Sequence, residues 1–180
     1  PYTPSAYSWP STFTETQKNY LAGELQRLVT LLNLKTSIYN IETRIGSDGT
    51  PYIMEVSPRG GGNRLAELVR YATGIDLIGA YVRASVGDSV GEMSVPVFDG
   101  CWAELILHSD KDGLFQKLEI SENLQNFVVE KDLWVRTGDK VRSFKGANEA
   151  IGTLVLRFSD NKIADIMLAD IRNCCKVITI

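Results

Sequence analysis

With 180 residues, 44% apolar and 23% charged, the chain has the composition of a globular protein that buries one core or two small ones, which excludes a disordered segment. Nineteen basic against twenty-two acidic side chains leave a net charge of -3, so there is no electrostatic footprint for nucleic acid or an anionic membrane. No window approaches the roughly 18 continuous apolar residues of a bilayer-crossing helix, and the N-terminus lacks a signal pattern, which makes a cytoplasmic location the default expectation.

The chain starts at Pro1 instead of methionine, and Pro1 to Phe13 reads as an extended segment of something longer. Thr14 and Gln17 form a capping-box signature, and Leu21, Leu25, Leu28, Val29 and Leu32 recur at helical spacing behind it, predicting a helix over Glu15 to Leu32. Thr36 to Ile45 is rich in β-branched residues, Gly46 to Gly49 supplies a turn, and Pro51 to Val56 returns as a second strand, together a hairpin. Gly60, Gly61 and Gly62 end it, Asn63 is placed to cap a helix through Ala72, and Gly74 follows as a C-terminal cap. A further helix spans Leu77 to Val86.

Beyond Gly87 the pattern changes to short β-like runs over Ser94 to Phe98, Cys101 to His108, Leu114 to Ile120, Asn126 to Val135 and Thr153 to Phe158. Lys162 to Asn173 fits one amphipathic helix, and Val177 to Ile180 a closing edge strand. The fold class is α+β, with residues 1–90 and 91–180 as two expected domains.

The acids on the hairpin carry the chemistry. A turn of four residues, Gly46 to Gly49, places Ile45 opposite Thr50, Glu42 opposite Ile53 and Asn40 opposite Glu55, so Glu42 and Glu55 are diagonal neighbours on one face. Two carboxylates this close repel unless a proton or a cation lies between them, and magnesium, with its hard oxygen ligands, is the natural compensation. Arg59 follows the strand, and its forked guanidinium suits a phosphate or carboxylate beside the metal. Acids on an exposed sheet face are common, and a solvated hairpin accounts for the same residues from periodicity alone.

The ordered series helix, Tyr39-Asn-Ile-Glu42, turn, Tyr52-Ile-Met-Glu55-Val-Ser57-Pro-Arg59, glycine loop and Leu68-Val-Arg-Tyr-Ala-Thr-Gly74-Ile-Asp76-Leu resembles the end of the ATP-grasp fold, over roughly residues 3–87. The resemblance implies an antiparallel sheet with helices followed by a small α+β C-terminal domain. It implies ATP and Mg2+ as cofactors, with Glu42 and Glu55 as metal ligands on the ATP phosphates and Arg59 on the transferred phosphate. Ser57 stands where the family usually has asparagine as a ligand of a second metal, and a serine hydroxyl is the shorter, weaker ligand. The pattern is most similar to amino-acid and dipeptide carboxylate-amine ligases, which work through an acyl phosphate on small carboxylate and amine substrates. More distantly it resembles carbamoyl phosphate synthetase and biotin carboxylase, and a non-catalytic interaction domain that keeps the fold is the reading outside enzymes. The nucleotide-holding lysines and glycine-rich lid of such enzymes lie N-terminal to this region, so the chain is expected to be an inactive fragment without that part. The last segment would then close the pocket or carry a homodimer contact.

Other candidates read as structure. His108 has no Cys or acidic neighbour at ligand spacing. Trp102 and Trp134 sit on predicted strands and are expected in the core. Cys101, Cys174 and Cys175 are expected as reduced thiols, because their number is odd and two of them are adjacent. Asp110, Asp112 and Gly113 fit a polar turn. Asn63, Arg64 and Glu67 fit a solvated helix start or a substrate-facing edge equally well.

Overall fold

A computed structural model describes residues 5–180, so Pro1–Pro4 of the extended N-terminal segment lie outside the described residues. The rest of that segment forms a strand, β1 (Ala6–Trp9). Helix α1 (Glu15–Leu31) begins at the capping box, where Thr14 accepts from Gln17 N at 3.2 Å and the Gln17 side chain accepts from Thr14 N at 3.0 Å. Leu21, Leu25 and Leu28 are its half-buried stripe.

The stripe rests on a hairpin of β2 (Asn40–Ile45) and β3 (Pro51–Ser57). Its register differs from the expected one in two places. Ile45 pairs with Pro51, not Thr50, because Gly46 N donates to Thr50 O at 2.8 Å and Gly49, at φ 81°, takes the left-handed conformation, so the turn absorbs one more residue. A bulge at Met54 then absorbs a second, and Glu42 lies directly opposite Glu55 instead of Ile53. The longer turn alone would set the two acids on opposite faces, and the bulge returns them to one.

The glycine loop leads to α2 (Leu65–Thr73), which ends on Gly74 at φ 76°. Asn63 does not cap it: the residue is itself left-handed at φ 54°, and Arg64 takes the cap position without a side-chain hydrogen bond. Helix α3 (Leu77–Ser85) is capped by Asp76, which accepts from Gly79 N at 2.9 Å. The strand expected over Ser94 to Phe98 is absent; Val95 and Val97 are 86% and 83% exposed on coil that no partner strand reaches.

The remainder runs β4 (Cys101–His108), β5 (Gly113–Ile120), α4 (Glu122–Gln125), β6 (Val128–Leu133), β7 (Lys140–Val141), β8 (Ala150–Phe158), α5 (Asn161–Ala169), α6 (Ile171–Cys174) and β9 (Cys175–Thr179). The single helix expected over Lys162 to Asn173 is thus two, broken at Asp170, and the closing strand starts two residues early. Two antiparallel sheets result, in strand orders β1-β4-β8-β6 and β7-β5-β9.

One face of the first sheet, from Cys101, Ala103, Leu105 and Leu107 of β4 and Leu154, Leu156 and Phe158 of β8, packs with Phe115, Leu124 and Ala164 as the main core. On the opposite face, Trp102 and Val155 pack under Leu68 and Ala72 of α2. Both faces of β4 are therefore covered, which is why it reads as a nearly unbroken apolar run. The second core fastens α2 to the large sheet. Among the described residues no helix is long and apolar enough to cross a membrane.

Candidate functional site

The pairing of Glu42 with Glu55 puts their Cβ atoms about 5 Å apart on one face of the hairpin. The Glu42 side chain is 53% exposed and has Arg44 Nη2 at 3.7 Å from its Oε1. Asn40 pairs with Ser57, one step along the same face, and the Ser57 hydroxyl donates to Glu55 Oε1 at 2.5 Å. Arg59 is exposed beyond the strand end, with Nη1 donating to Gly60 O at 2.8 Å. Among the described residues no three His, Cys, Asp or Glu side chains converge on a metal position. The hairpin supplies two carboxylates and a hydroxyl, a fit for magnesium, which completes its octahedron with phosphate and water, and no fit for an all-protein cage.

Two residues that the sequence reading left out adjoin this group. Tyr7 of β1 pairs with Glu104 of β4, so their side chains share a face. Burial pushes the Tyr7 hydroxyl up, the nearby Glu104 and Glu42 carboxylates push it further, and the Asn63 side chain and Arg59 draw it back. Glu104 is wholly buried, and burial holds its carboxyl above the usual range. An acid inside the apolar run Cys101-Trp-Ala-Glu104-Leu-Ile-Leu was the available signal, since burying a charge without purpose is costly.

Arg64 joins the helix start to the sheet. Its N–H donates to Glu104 Oε1 at 3.0 Å, while its guanidinium pairs with Glu67, Glu130 and Asp132. Tyr71 donates to Glu130 as well, and the Arg64 and Tyr71 bonds hold the Glu130 carboxyl below its usual range. Trp134 is half exposed, its Nε1 donating to Asp132 at 2.9 Å, which corrects the expectation of a core residue; Trp102 is buried as expected. His108 stacks on Phe144, with ring centroids 4.1 Å apart, away from the hairpin. An open cleft of about 380 Å3 separates the hairpin from α2 and α3, its apolar walls including Leu65, Val69 and Tyr81 and its polar rim Asn40, Asn63 and Glu67.

The whole chain superposes on the C-terminal part of several solved ligases. An L-amino acid ligase from Bacillus licheniformis matches with a TM-score of 0.83 over 99% of this chain and 45% of its own, at 18% identity. A phosphoribosylglycinamide synthetase from Anaerococcus prevotii gives 0.78 over 99% and 46%, at 19% identity. The biotin carboxylase domain of a Hydrogenobacter thermophilus 2-oxoglutarate carboxylase, in complex with MgADP and bicarbonate, gives 0.71 over 97% and 39%, at 14% identity. This is the ATP-grasp fold. ATP-grasp structures thus account for β1 to β9 as one arrangement, including the sheet beyond Gly87. In sequence, the uncharacterised protein y4rH of Sinorhizobium fredii is 26% identical over 163 residues, 89% of this chain and 34% of that protein. No protein-family model matches. The chain spans under half the length of these relatives.

Proposed function

We propose that the full-length protein is a magnesium-dependent ATP-grasp ligase that joins a carboxylate to an amine through an acyl phosphate. The observation that carries this reading is the direct opposition of Glu42 and Glu55, with Ser57 bonded to Glu55, beside an arginine and a glycine loop in this fold. Bound there, Mg-ATP would supply the transferable phosphoryl group and neutralise its charge.

The chain's own residues do the rest. Glu42 and Glu55 present hard oxygens on one face, Ser57 fixes the orientation of Glu55, and Arg59 stands ready to hold negative charge at the acyl phosphate. The half-apolar cleft beside Asn40 and Asn63 takes the organic part of the carboxylate substrate. Glu42, Glu55, Ser57 and Arg59 are accordingly the site residues, and residues 91–180 form the unit that backs the pocket.

Phosphate release from ATP and Mg2+ by the full-length protein, recorded against a panel of amino acids, tests the reading. Substrate-stimulated release that falls at least ~100-fold in Glu55→Ala is the expected result. No release with any acceptor, together with no ATP binding, would move the protein to a non-catalytic role.

A further inference from the structure

The buried acid of β4 has more binding capacity than the fold uses. Glu104 Oε1 is satisfied by Arg64 N–H, but Oε2 has no partner among the described residues. Thr153 of β8 is 1% exposed, and its hydroxyl likewise has no partner among them. The β4–β8 register sets Glu104 opposite Val155 and Ile106 opposite Thr153, so Glu104 and Thr153 are diagonal neighbours on one face. A buried carboxylate oxygen left open beside an open hydroxyl lacks a hydrogen-bond donor, and orphaned buried groups of this kind cost about 1–3 kcal/mol each.

The surroundings indicate the charge of the missing donor. Glu67 from α2, Arg64 at its N-terminus and Tyr7 from β1 are the titratable groups next to Glu104, and the same Arg64 also serves Glu130 and Asp132 of β6, so four carboxylates with Glu104 itself share one guanidinium. A cationic donor is favoured there over a neutral one. The position relative to the hairpin indicates its source. Tyr7, the pairing partner of Glu104, is raised by the carboxylates of both Glu104 and Glu42, and Asn63, next to the Arg64 N–H that bonds Glu104, lines the cleft together with Glu67. The backbone over Glu104, at Asn63 and Arg64, follows three glycines, with Asn63 in the left-handed conformation at φ 54°.

Resting on the ligase reading above, we propose that Glu104 and Thr153 form the subsite for the ammonium group of the amine substrate, and that Glu104 takes its proton. The carboxylate accepts H+ from R–NH3+, leaving R–NH2. Its nitrogen attacks the acyl-phosphate carbonyl carbon, a C–N bond forms, the C–O bond to phosphate breaks with its electron pair on phosphate, and one of the two nitrogen protons leaves with the phosphate while the other stays on the amide. Burial holds this carboxyl above its usual range, which makes it a stronger base toward the ammonium proton than an exposed carboxylate.

Hydroxylamine separates the two halves of the reaction, because it is uncharged at neutral pH and traps an acyl phosphate without an ammonium site. In the full-length protein, Glu104→Gln should lower the ratio of amide product to hydroxamate about tenfold or more, with glycinamide and ethylamine as the amines. It should also remove the acidic limb of the pH profile for amide formation while raising Tm at neutral pH. The isosteric Thr153→Val should raise KM for the amine several-fold without moving that limb. An unchanged ratio and profile in Glu104→Gln, a parallel loss of hydroxamate and amide, or no amide from wild type with either amine would overturn the subsite. Absence of any hydroxamate from wild type would instead sink the ligase reading itself, and the subsite with it.

Discussion

Ser57 illustrates how a single side chain is reassigned by geometry. The resemblance makes it a candidate metal ligand, whereas its hydroxyl donates to Glu55 Oε1 at 2.5 Å, a role that orients the ligand next to it. Ser57→Ala should therefore raise the magnesium requirement of ATP turnover about tenfold and leave the protein folded, as read from a magnesium titration of the rate. The sequence made Glu42, Glu55 and Arg59 visible because acids on a hairpin and an arginine after it form a local pattern. Tyr7 and Glu104 were hidden because their partnership is made by strands far apart in the chain.

Two carboxyls give opposite pH dependences. Glu130 has its folded pKa below the unfolded one, so its contribution is present above the unfolded value and is lost as pH falls through the folded one. Glu104 has a raised folded pKa, so the native state holds its proton more tightly, and that contribution is lost as pH rises through the folded value. Removing Glu104 as Glu104→Gln should make Tm rise more steeply from acid to neutral pH, which thermal melts at several pH values would check.

At the level of elements, the link between α2 and β6 has one main cation. Arg64 is 20% exposed and serves three carboxylates, so Arg64→Ala leaves Glu130 and Asp132 facing each other uncompensated and should cost about 2–4 kcal/mol. Arg64→Lys would not restore it, since a point charge cannot fork between partners. Gly152, at φ 156°, lies against the Asp132 backbone, where a Cβ would collide with the Asp132 carbonyl. Gly152→Ala should displace β6 and cost about 2 kcal/mol or more in a denaturant titration. Helix α1 and the hairpin were legible from capping, periodicity and turn residues, which are local signals. The register was not: neither the longer turn nor the bulge at Met54 has a residue type that announces it. The expected strand at Ser94 to Phe98 failed for the opposite reason, propensity without a partner.

Across the whole molecule, burial is uneven. Seven of the eight β4 residues are buried, while α1 has none and the hairpin only Pro51. Amides of α1 and the hairpin should exchange about 100-fold or more faster than those of β4 and β8 when hydrogen exchange is followed on this 180-residue chain. The α+β class was readable from the change of pattern near Gly87, but the strand order was not, because β1 reaches across α1, the hairpin and two more helices to pair with β4. The two opposed glutamates are thus borne by one of the least buried elements among the described residues.

That opposition makes the hairpin a spring held shut by its own hydrogen bonds against like charges. A divalent ion would act on it as a folding ligand, adding RT ln(1 + [L]/Kd) to the stability of whatever unit it closes. Magnesium should slow hairpin exchange in proportion to its concentration, calcium should do so less well, and Glu42→Gln, which relaxes the spring, should slow exchange without any ion.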